Sequence, residues 1–114
     1  MELVDRFRLV LLGGLVLSTA TITVHADPAN YDASWQWNHN VKVDFIYTYE
    51  ITTHRSYVHM DNGEFCYVEA SEKALFATVL AMRAQQSIGQ LVCYLNADDS
   101  VDGIPARHIH RLRN

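Results

Sequence analysis

A run of alternating side chains at positions 41–52 constrains the fold of this chain more than any other feature. The residues between its apolar members are polar, with the single exception of Ile46. Successive side chains of a β-strand point to opposite faces, so this pattern predicts one long strand with one buried face and one solvated face. A strand of this length is typical of a small, strongly curved barrel. The apolar or aromatic members are Val41, Val43, Phe45, Tyr47, Tyr49 and Ile51.

Four shorter strands and one helix are predicted after this run. Asn62-Gly63 suits the positive φ angles of a type I′ hairpin between the first two of those strands. Residues 72–86 predict the helix, because they are rich in Ala, Leu, Met, Gln and Arg and contain no Gly or Pro. Ser71 is its expected N-cap, and Gly89 is the expected left-handed residue beyond its C-terminal end. The shorter strands are predicted at 57–60, 65–69, 90–95 and 104–112.

The predicted order is β-β-β-α-β-β, with the helix between strands 3 and 4. This is the order of an OB-fold, a five-stranded Greek-key barrel of the β-rich α+β class. The order alone does not establish that the barrel is closed, and a cystatin-like or other α+β roll is the alternative. Residues 27–114 are one domain by length. Within them, residues 27–40 lack a sustained period and are interpreted as an N-terminal arm or a short edge strand.

The first 26 residues have the three-part organisation of a secretory signal peptide. Residues 1–8 are charged, residues 9–24 are mostly apolar, and Val24-His25-Ala26 supplies small residues at the −3 and −1 positions of a cleavage site. A membrane anchor is the alternative, but the apolar run is shorter than the roughly 20 residues of a spanning helix. We therefore predict cleavage near Ala26, a secreted or periplasmic bacterial protein, and no membrane span after cleavage.

The chain has two cysteines, Cys66 and Cys93, which lie 27 positions apart. In an oxidising compartment they are expected to form a disulfide bond, which a domain of this size often needs to supplement a thin core. Two reduced, buried thiols are the alternative. Two cysteines are too few for a four-cysteine zinc site.

Net charge and motifs exclude several functional classes. The formal net charge is −4, which argues against a nucleic-acid-binding protein. The chain contains no G-x-S-x-G, no H-E-x-x-H and no Gly-rich phosphate loop. We therefore expect neither catalysis nor a cofactor.

A family resemblance rests on residues 41–112. Its pattern is the aromatic-Cys-aromatic-apolar run Phe65-Cys66-Tyr67-Val68, then an Ala- and Leu-rich helix, then a strand led by Gly89, and finally IPARHIHRLR. This pattern resembles small exported bacterial proteins related to the B subunits of subtilase-type and pertussis-type AB5 toxins. The resemblance implies an OB-fold, a tendency to form homo-oligomeric rings, recognition of glycans at the cell surface, and a toxin A subunit as a potential partner.

The aromatic residues are the candidate ligand-binding or interface residues. If Cys66 and Cys93 point inward, then Phe65, Tyr67, Val92 and Tyr94 point outward, and outward aromatics on a small barrel are typical of a binding platform. The alternative is that the N-terminal arm covers them with its two tryptophans. The full set of candidates is Phe65, Tyr67, Tyr94, Tyr47, Tyr49, Tyr57, Trp35 and Trp37.

Two further patterns lie near the C-terminus. His108 and His110 are two apart, so on a strand both imidazoles share a face with Leu112, as a zinc-binding pair would require. The interpretation that we favour is two polar residues on a basic terminal strand. Residues 98–103 resemble the first half of an EF-hand loop, but Ile109 stands where a bidentate Glu is needed, so we interpret them as a solvated turn.

These observations favour an exported, non-catalytic binding protein that recognises a cell-surface glycan. The alternative is a monomeric periplasmic module that binds or inhibits an exported protein partner. Neither function involves nucleic acid.

Overall fold

The computed structural model describes residues 26–114, so most of the predicted export signal lies outside the described residues. Over this range the chain is β-rich, with one helix and one mixed sheet of eight strands. The elements are β1 (Asn30–Tyr31), β2 (Trp35–Val41), β3 (Val43–Tyr47), β4 (Ser56–Met60), β5 (Phe65–Val68), α1 (Lys73–Gln85), β6 (Gly89–Tyr94), β7 (Asp99–Val101) and β8 (Ile104–Arg113).

The strands pair in the order β1-β2-β6-β8-β5-β4-β3, and β7 pairs with β8. Every pairing is antiparallel except the one between β5 and β8. Only Lys42 separates β2 from β3, so one continuous stretch of chain pairs with β6 through its first half and with β4 through its second half.

The N-terminal arm predicted at 27–40 contains six of the seven residues of β2, a strand of the sheet interior. Strand β2 lies between β1 and β6, so the prediction of an arm or edge strand is wrong for this part. Its inward positions hold Gln36 and Asn38, both fully buried, instead of apolar residues. Gln36 donates to Glu64 Oε1 at 3.1 Å, and Asn38 donates to the carbonyl oxygen of Leu91 at 3.2 Å. These buried amides hid the period-two pattern that marks a strand.

A β-bulge divides the strand that was predicted at 41–52. Val43 pairs with Met60 but Phe45 pairs with His59, so Asp44 is an extra residue on β3. A bulge exchanges the faces of the residues that follow it. Val43 and Ile46 therefore pack into the core, whereas Phe45 and Tyr47 belong to the opposite face. The single-face prediction for Val41 to Ile51 is wrong for this reason, and the bulge also explains why Ile46 broke the alternation.

The core lies between the inner face of the sheet and helix α1. It includes Val41, Val43, Val58, Met60, Val68 and Leu91 from the strands, with Val79 and Met82 from the helix. Cys66 and Cys93 are fully buried within it and form the expected disulfide bond, with their Cα atoms 6.7 Å apart. The bond joins β5 to β6, the two strands that flank β8.

Both predicted caps of the helix differ from the structure. The N-cap is Glu72, with no side-chain cap hydrogen bond, instead of Ser71. At the other end Gln86 takes the left-handed conformation, with φ of 52°, and Gly89 begins β6. Gly89 is needed there for close packing, because a Cβ atom would collide with the carbonyl oxygen of Arg113 and with the end of the Met82 side chain.

We expect loss of the disulfide to destabilise the domain by about 3.6 kcal/mol, the chain-entropy value for two cysteines 27 positions apart. Urea unfolding of the wild type and of the Cys66→Ala/Cys93→Ala double variant measures the difference. Reductant should lower the unfolding free energy of the wild type and leave the double variant unchanged. Equal unfolding free energies for the two proteins without reductant would contradict this expectation.

Candidate ligand-binding site

A second β-bulge, in β8, changes which residues share a face with His108 and His110. Cys93 pairs with Ile109 but Val92 pairs with Arg111, so His110 is an extra residue. Ile109 and the partly buried Leu112 consequently pack on the core side, while both imidazoles contact outer-face aromatic rings. The prediction that Leu112 shares a face with the two histidines is therefore wrong.

Five rings contact one another in series across this outer face, and we call them the ring row. The rings of His110 and Trp35 are stacked with centroids 4.2 Å apart, and Trp35 lies 5.4 Å from Tyr94. Tyr94 lies 5.5 Å from His108, which is stacked on Tyr67 at 5.0 Å. Strands β2, β6, β8 and β5 each supply part of the row, so the sheet pairing fixes its geometry.

A cleft of about 680 Å³ opens where Tyr94, His108 and Tyr67 of the ring row meet the loop after β6. Tyr94 is 42% exposed, whereas Tyr67 is buried and its hydroxyl group donates to Asp98, another residue of the cleft. We call this feature the Tyr94 cleft. Its lining residues are Ala33, Ser34, Tyr67, Tyr94, Leu95, Asn96, Asp98 and His108.

Hydrogen bonds orient the polar groups of the cleft. The Tyr67 hydroxyl donates to Asp98, at 2.8 Å from Oδ1 and 3.0 Å from Oδ2. Burial and the hydrogen bond to Asp98 raise the pKa of Tyr67, so it stays a protonated donor at neutral pH. His108 Nε2 lies 2.8 Å from Glu72 Oε1 and 2.9 Å from Oε2. Because a carboxylate accepts hydrogen bonds, this contact favours the tautomer that carries its proton on Nε2, and Nδ1 is then an acceptor.

An ion-pair network anchors the loop that carries Asp98. The guanidinium of Arg55 lies 4.0 Å above the Tyr67 ring, with Nη1 2.9 Å from Asp99 Oδ2 and Nη2 3.1 Å from Glu69 Oε2. The Tyr57 hydroxyl donates to Asp99 Oδ2 at 2.6 Å. Burial, together with this hydrogen bond, raises the pKa of Tyr57 to about 12. The hydrogen bond from Tyr57 lowers the pKa of Asp99, with Arg55 adding to the effect.

Three of the predicted aromatic candidates meet in or beside the cleft: Trp35, Tyr67 and Tyr94. The others lie elsewhere. Phe65 and Tyr47 are stacked at 6.1 Å in a separate group, Tyr49 is stacked on His54, Tyr57 is buried at the Arg55 network, and Trp37 is stacked on His39.

Phe65, Tyr67 and Tyr94 all belong to the outer face, as expected, but of these three only Tyr94 is exposed. Phe65 and Tyr67 are 3% and 1% exposed, and Val92, which was also expected to point outward, is 1% exposed. Arg55 and His108 cover Tyr67, whereas Phe45, Tyr47 and His59 cover Phe65. The alternative, in which a tryptophan of the N-terminal arm covers these aromatic residues, is observed at Tyr94, where Trp35 packs.

The sequence did not indicate Ser34, Glu72 or Asn96 as site residues, and it indicated Asp98 only as part of the EF-hand-like loop. Asp98 follows the strand of Tyr94 by four positions, and that spacing was the one available signal. The acidic loop is also more ordered than the predicted solvated turn, because Asp99–Val101 forms β7 and Val101 is 8% exposed.

Residues 26–114 contain no group of three or more His, Cys, Asp or Glu side chains that could hold a metal ion. His108 is bonded to Glu72 and His110 is stacked on Trp35. Over the same residues, no helix has the length and apolar character needed to span a bilayer.

Comparisons with family models, with curated proteins and with solved structures found no match to this chain.

We expect Asp99→Asn to lower the unfolding free energy by about 1–3 kcal/mol, because it removes the charge that holds Arg55 and Tyr57. Since the pKa of Asp99 is lowered by folding, its contribution is present above the ordinary value of 3.8 and is lost as the pH falls through the folded-state pKa. Unfolding free energies measured from pH 7 down to pH 2 should therefore fall less steeply in the variant. Asp102→Asn, in the exposed turn after β7, is the control. Equal acid sensitivity of Asp99→Asn and wild type would contradict the assignment.

Proposed function

We propose that this chain is an exported, non-catalytic binding protein that recognises a cell-surface glycan in the Tyr94 cleft. The observation that carries the proposal is the half-exposed ring of Tyr94 beside the polar side chains of Ser34, Asn96 and Asp98. A sugar presents an apolar face of C–H groups and a rim of hydroxyl groups. An aromatic face with hydrogen-bonding groups around it complements both.

Two segments supply the donors and acceptors of the polar rim of the cleft. Asn96 and Asp98 belong to the loop after β6, and Ser34 belongs to the turn before β2. That turn is held by Asp32, whose Oδ1 accepts hydrogen bonds from the backbone N–H groups of Ser34 at 2.8 Å and Trp35 at 2.7 Å. Groups that are already held in place lose less entropy when a ligand binds. This favours binding of a sugar, which buries little apolar surface.

The fold that we propose is a closed OB-like barrel with five principal strands. Support comes from the continuity of β2 and β3, which lets one long strand pair with both β6 and β4, and from the parallel pairing of β5 with β8. This arrangement and the resemblance to AB5 toxin B subunits support one another. Assembly into a homo-oligomeric ring and association with a toxin A subunit belong to the same proposal.

Binding to an exported protein partner is the second candidate function, and an apolar groove favours it. The groove, of about 420 Å³, lies between α1 and the segment after β3. Ile51 at its rim is 60% exposed and Leu80 is 45% exposed. Exposed apolar residues that line one groove are typical of protein contacts. A strictly monomeric protein that binds no glycan would favour this function.

Export itself is testable. We expect the full-length gene, expressed in a bacterial host, to yield a periplasmic or secreted protein whose N-terminus lies near Asp27, because signal peptidase cleaves after the small residue at −1. N-terminal sequencing of the purified protein measures this. A protein that keeps Met1 and stays in the cytoplasm or the membrane would contradict it.

We expect Tyr94→Ala to weaken glycan binding at least about tenfold, because it removes the exposed aromatic face of the cleft. Glycan-array screening, followed by calorimetry on the best ligand, measures the effect. The matched control is Tyr47→Ala, which removes a tyrosine of similar exposure, 40% against 42%, from outside the cleft.

Equal loss of binding in both tyrosine variants would place the site elsewhere. Retention of wild-type affinity by Tyr94→Ala would exclude the Tyr94 cleft as the glycan site.

A further inference from the structure

The charged side chains at the Tyr94 cleft are carboxylates. Asp98 lines the cleft and is exposed, and Glu72 lies behind His108 at 2.8 Å. Within the described residues 26–114, no lysine or arginine lines this cleft. A ligand in the cleft therefore meets negative charge from its walls.

Among residues 26–114, two guanidinium groups contact cleft residues, and both are engaged by other partners. Arg55 stacks on the Tyr67 ring, but Glu69 and Asp99 hold it by ion pairs. Arg107 donates through Nε to the carbonyl oxygen of Leu95 at 3.0 Å, and its Nη1 lies 3.7 Å from Glu64. The positive charges of both groups are already neutralised by carboxylates, so neither is free to pair with an anionic ligand.

Asp98 has unused capacity as a hydrogen-bond acceptor. A carboxylate offers about four acceptor positions, and the one proton of the Tyr67 hydroxyl, shared between the two oxygens, is its single side-chain donor among the described residues. Asp98 itself lines the open cleft. Adjacent hydroxyl groups of an uncharged sugar are donors of the right kind, and hydrogen bonds to an ionised acceptor are stronger than neutral ones.

We propose that the Tyr94 cleft selects uncharged saccharides, with sugar hydroxyl groups donating to Asp98, and discriminates against saccharides that carry a carboxylate or sulfate at the bound residue. This proposal rests on the glycan-binding function proposed above and specifies its ligand class. Like charges at hydrogen-bond distance repel, so an anionic sugar would have to approach Asp98 against its field and without a compensating cation.

Paired glycans test the selectivity directly on the wild-type protein. Each pair is an uncharged oligosaccharide, such as lactose or N-acetyllactosamine, and the same oligosaccharide with a terminal sialic acid or a sulfate. We expect the uncharged member to bind at least about tenfold more tightly, and its affinity to change little between low and high salt because no ion pair forms.

Asp98→Asn tests the residue. We expect this variant to weaken binding of the uncharged member at least about tenfold, because the amide has one acceptor oxygen fewer than the carboxylate and carries no charge. We also expect the affinity difference between the uncharged and the anionic member of each pair to become smaller, because the charge that repels the anion is gone. The matched control is Asp102→Asn, which removes an equal charge from the turn between β7 and β8, outside the cleft lining, and should leave both affinities unchanged. Circular dichroism and thermal melting verify that the variants are folded, and the paired-glycan comparison on the wild type needs no variant.

The outcomes separate the two proposals. If the sialylated or sulfated members bind more tightly and Tyr94→Ala abolishes that binding, the proposed selectivity for uncharged saccharides is overturned. The proposed glycan site in the Tyr94 cleft is then retained. Binding of neither member, or binding that Tyr94→Ala leaves intact, would overturn the glycan function at this cleft and the selectivity with it. Wild-type affinity of Asp98→Asn for the uncharged member would exclude Asp98 as the acceptor.

Discussion

The bond between Cys66 and Cys93 is the constraint on which the rest of the structure depends. It joins the two strands that flank β8 and lies wholly within the core. Because neighbouring residues of a strand point to opposite faces, fixing both sulfur atoms inside fixes the next residues, Tyr67 and Tyr94, outside. Those two rings stand on either side of His108, at 5.0 Å and 5.5 Å. The disulfide bond in the core thus sets the spacing of the Tyr67 and Tyr94 rings on the outer face.

The interior around the disulfide is unusually polar. Gln36 and Asn38 are fully buried on β2 and are bonded to Glu64, Leu91 and Asn62. A buried amide without partners is costly, so this network is satisfied only when β2 pairs with β6 in one register. Gln36 and Asn38 bury no apolar side chain, so they add little to the hydrophobic contribution to folding. They instead discriminate against slipped registers of β2, the strand that carries Trp35.

Parts of the fold could be predicted because their patterns are local. The helix follows from composition, the hairpin from Asn62-Gly63, and the disulfide from two cysteines in an export context. The bulges at Asp44 and His110 could not be predicted, since each is one extra residue whose position depends on the partner strand. Of the site, the sequence indicated Tyr94 and Tyr67, because they follow inward cysteines. It did not indicate Asp98, whose role depends on a contact across 31 positions of the chain.

The parallel pairing of β5 and β8 has a consequence for the order of folding. Residues 65–67 pair with residues 106–108, whereas β4 and β5 are joined by a short turn. Closing the longer loop costs more chain entropy, so we expect the hairpin to form early and the parallel pair to be completed late. Tyr67 and His108 face each other across that late pairing. The Tyr94 cleft, which is lined by both residues, is therefore expected to be incomplete until this pairing has formed.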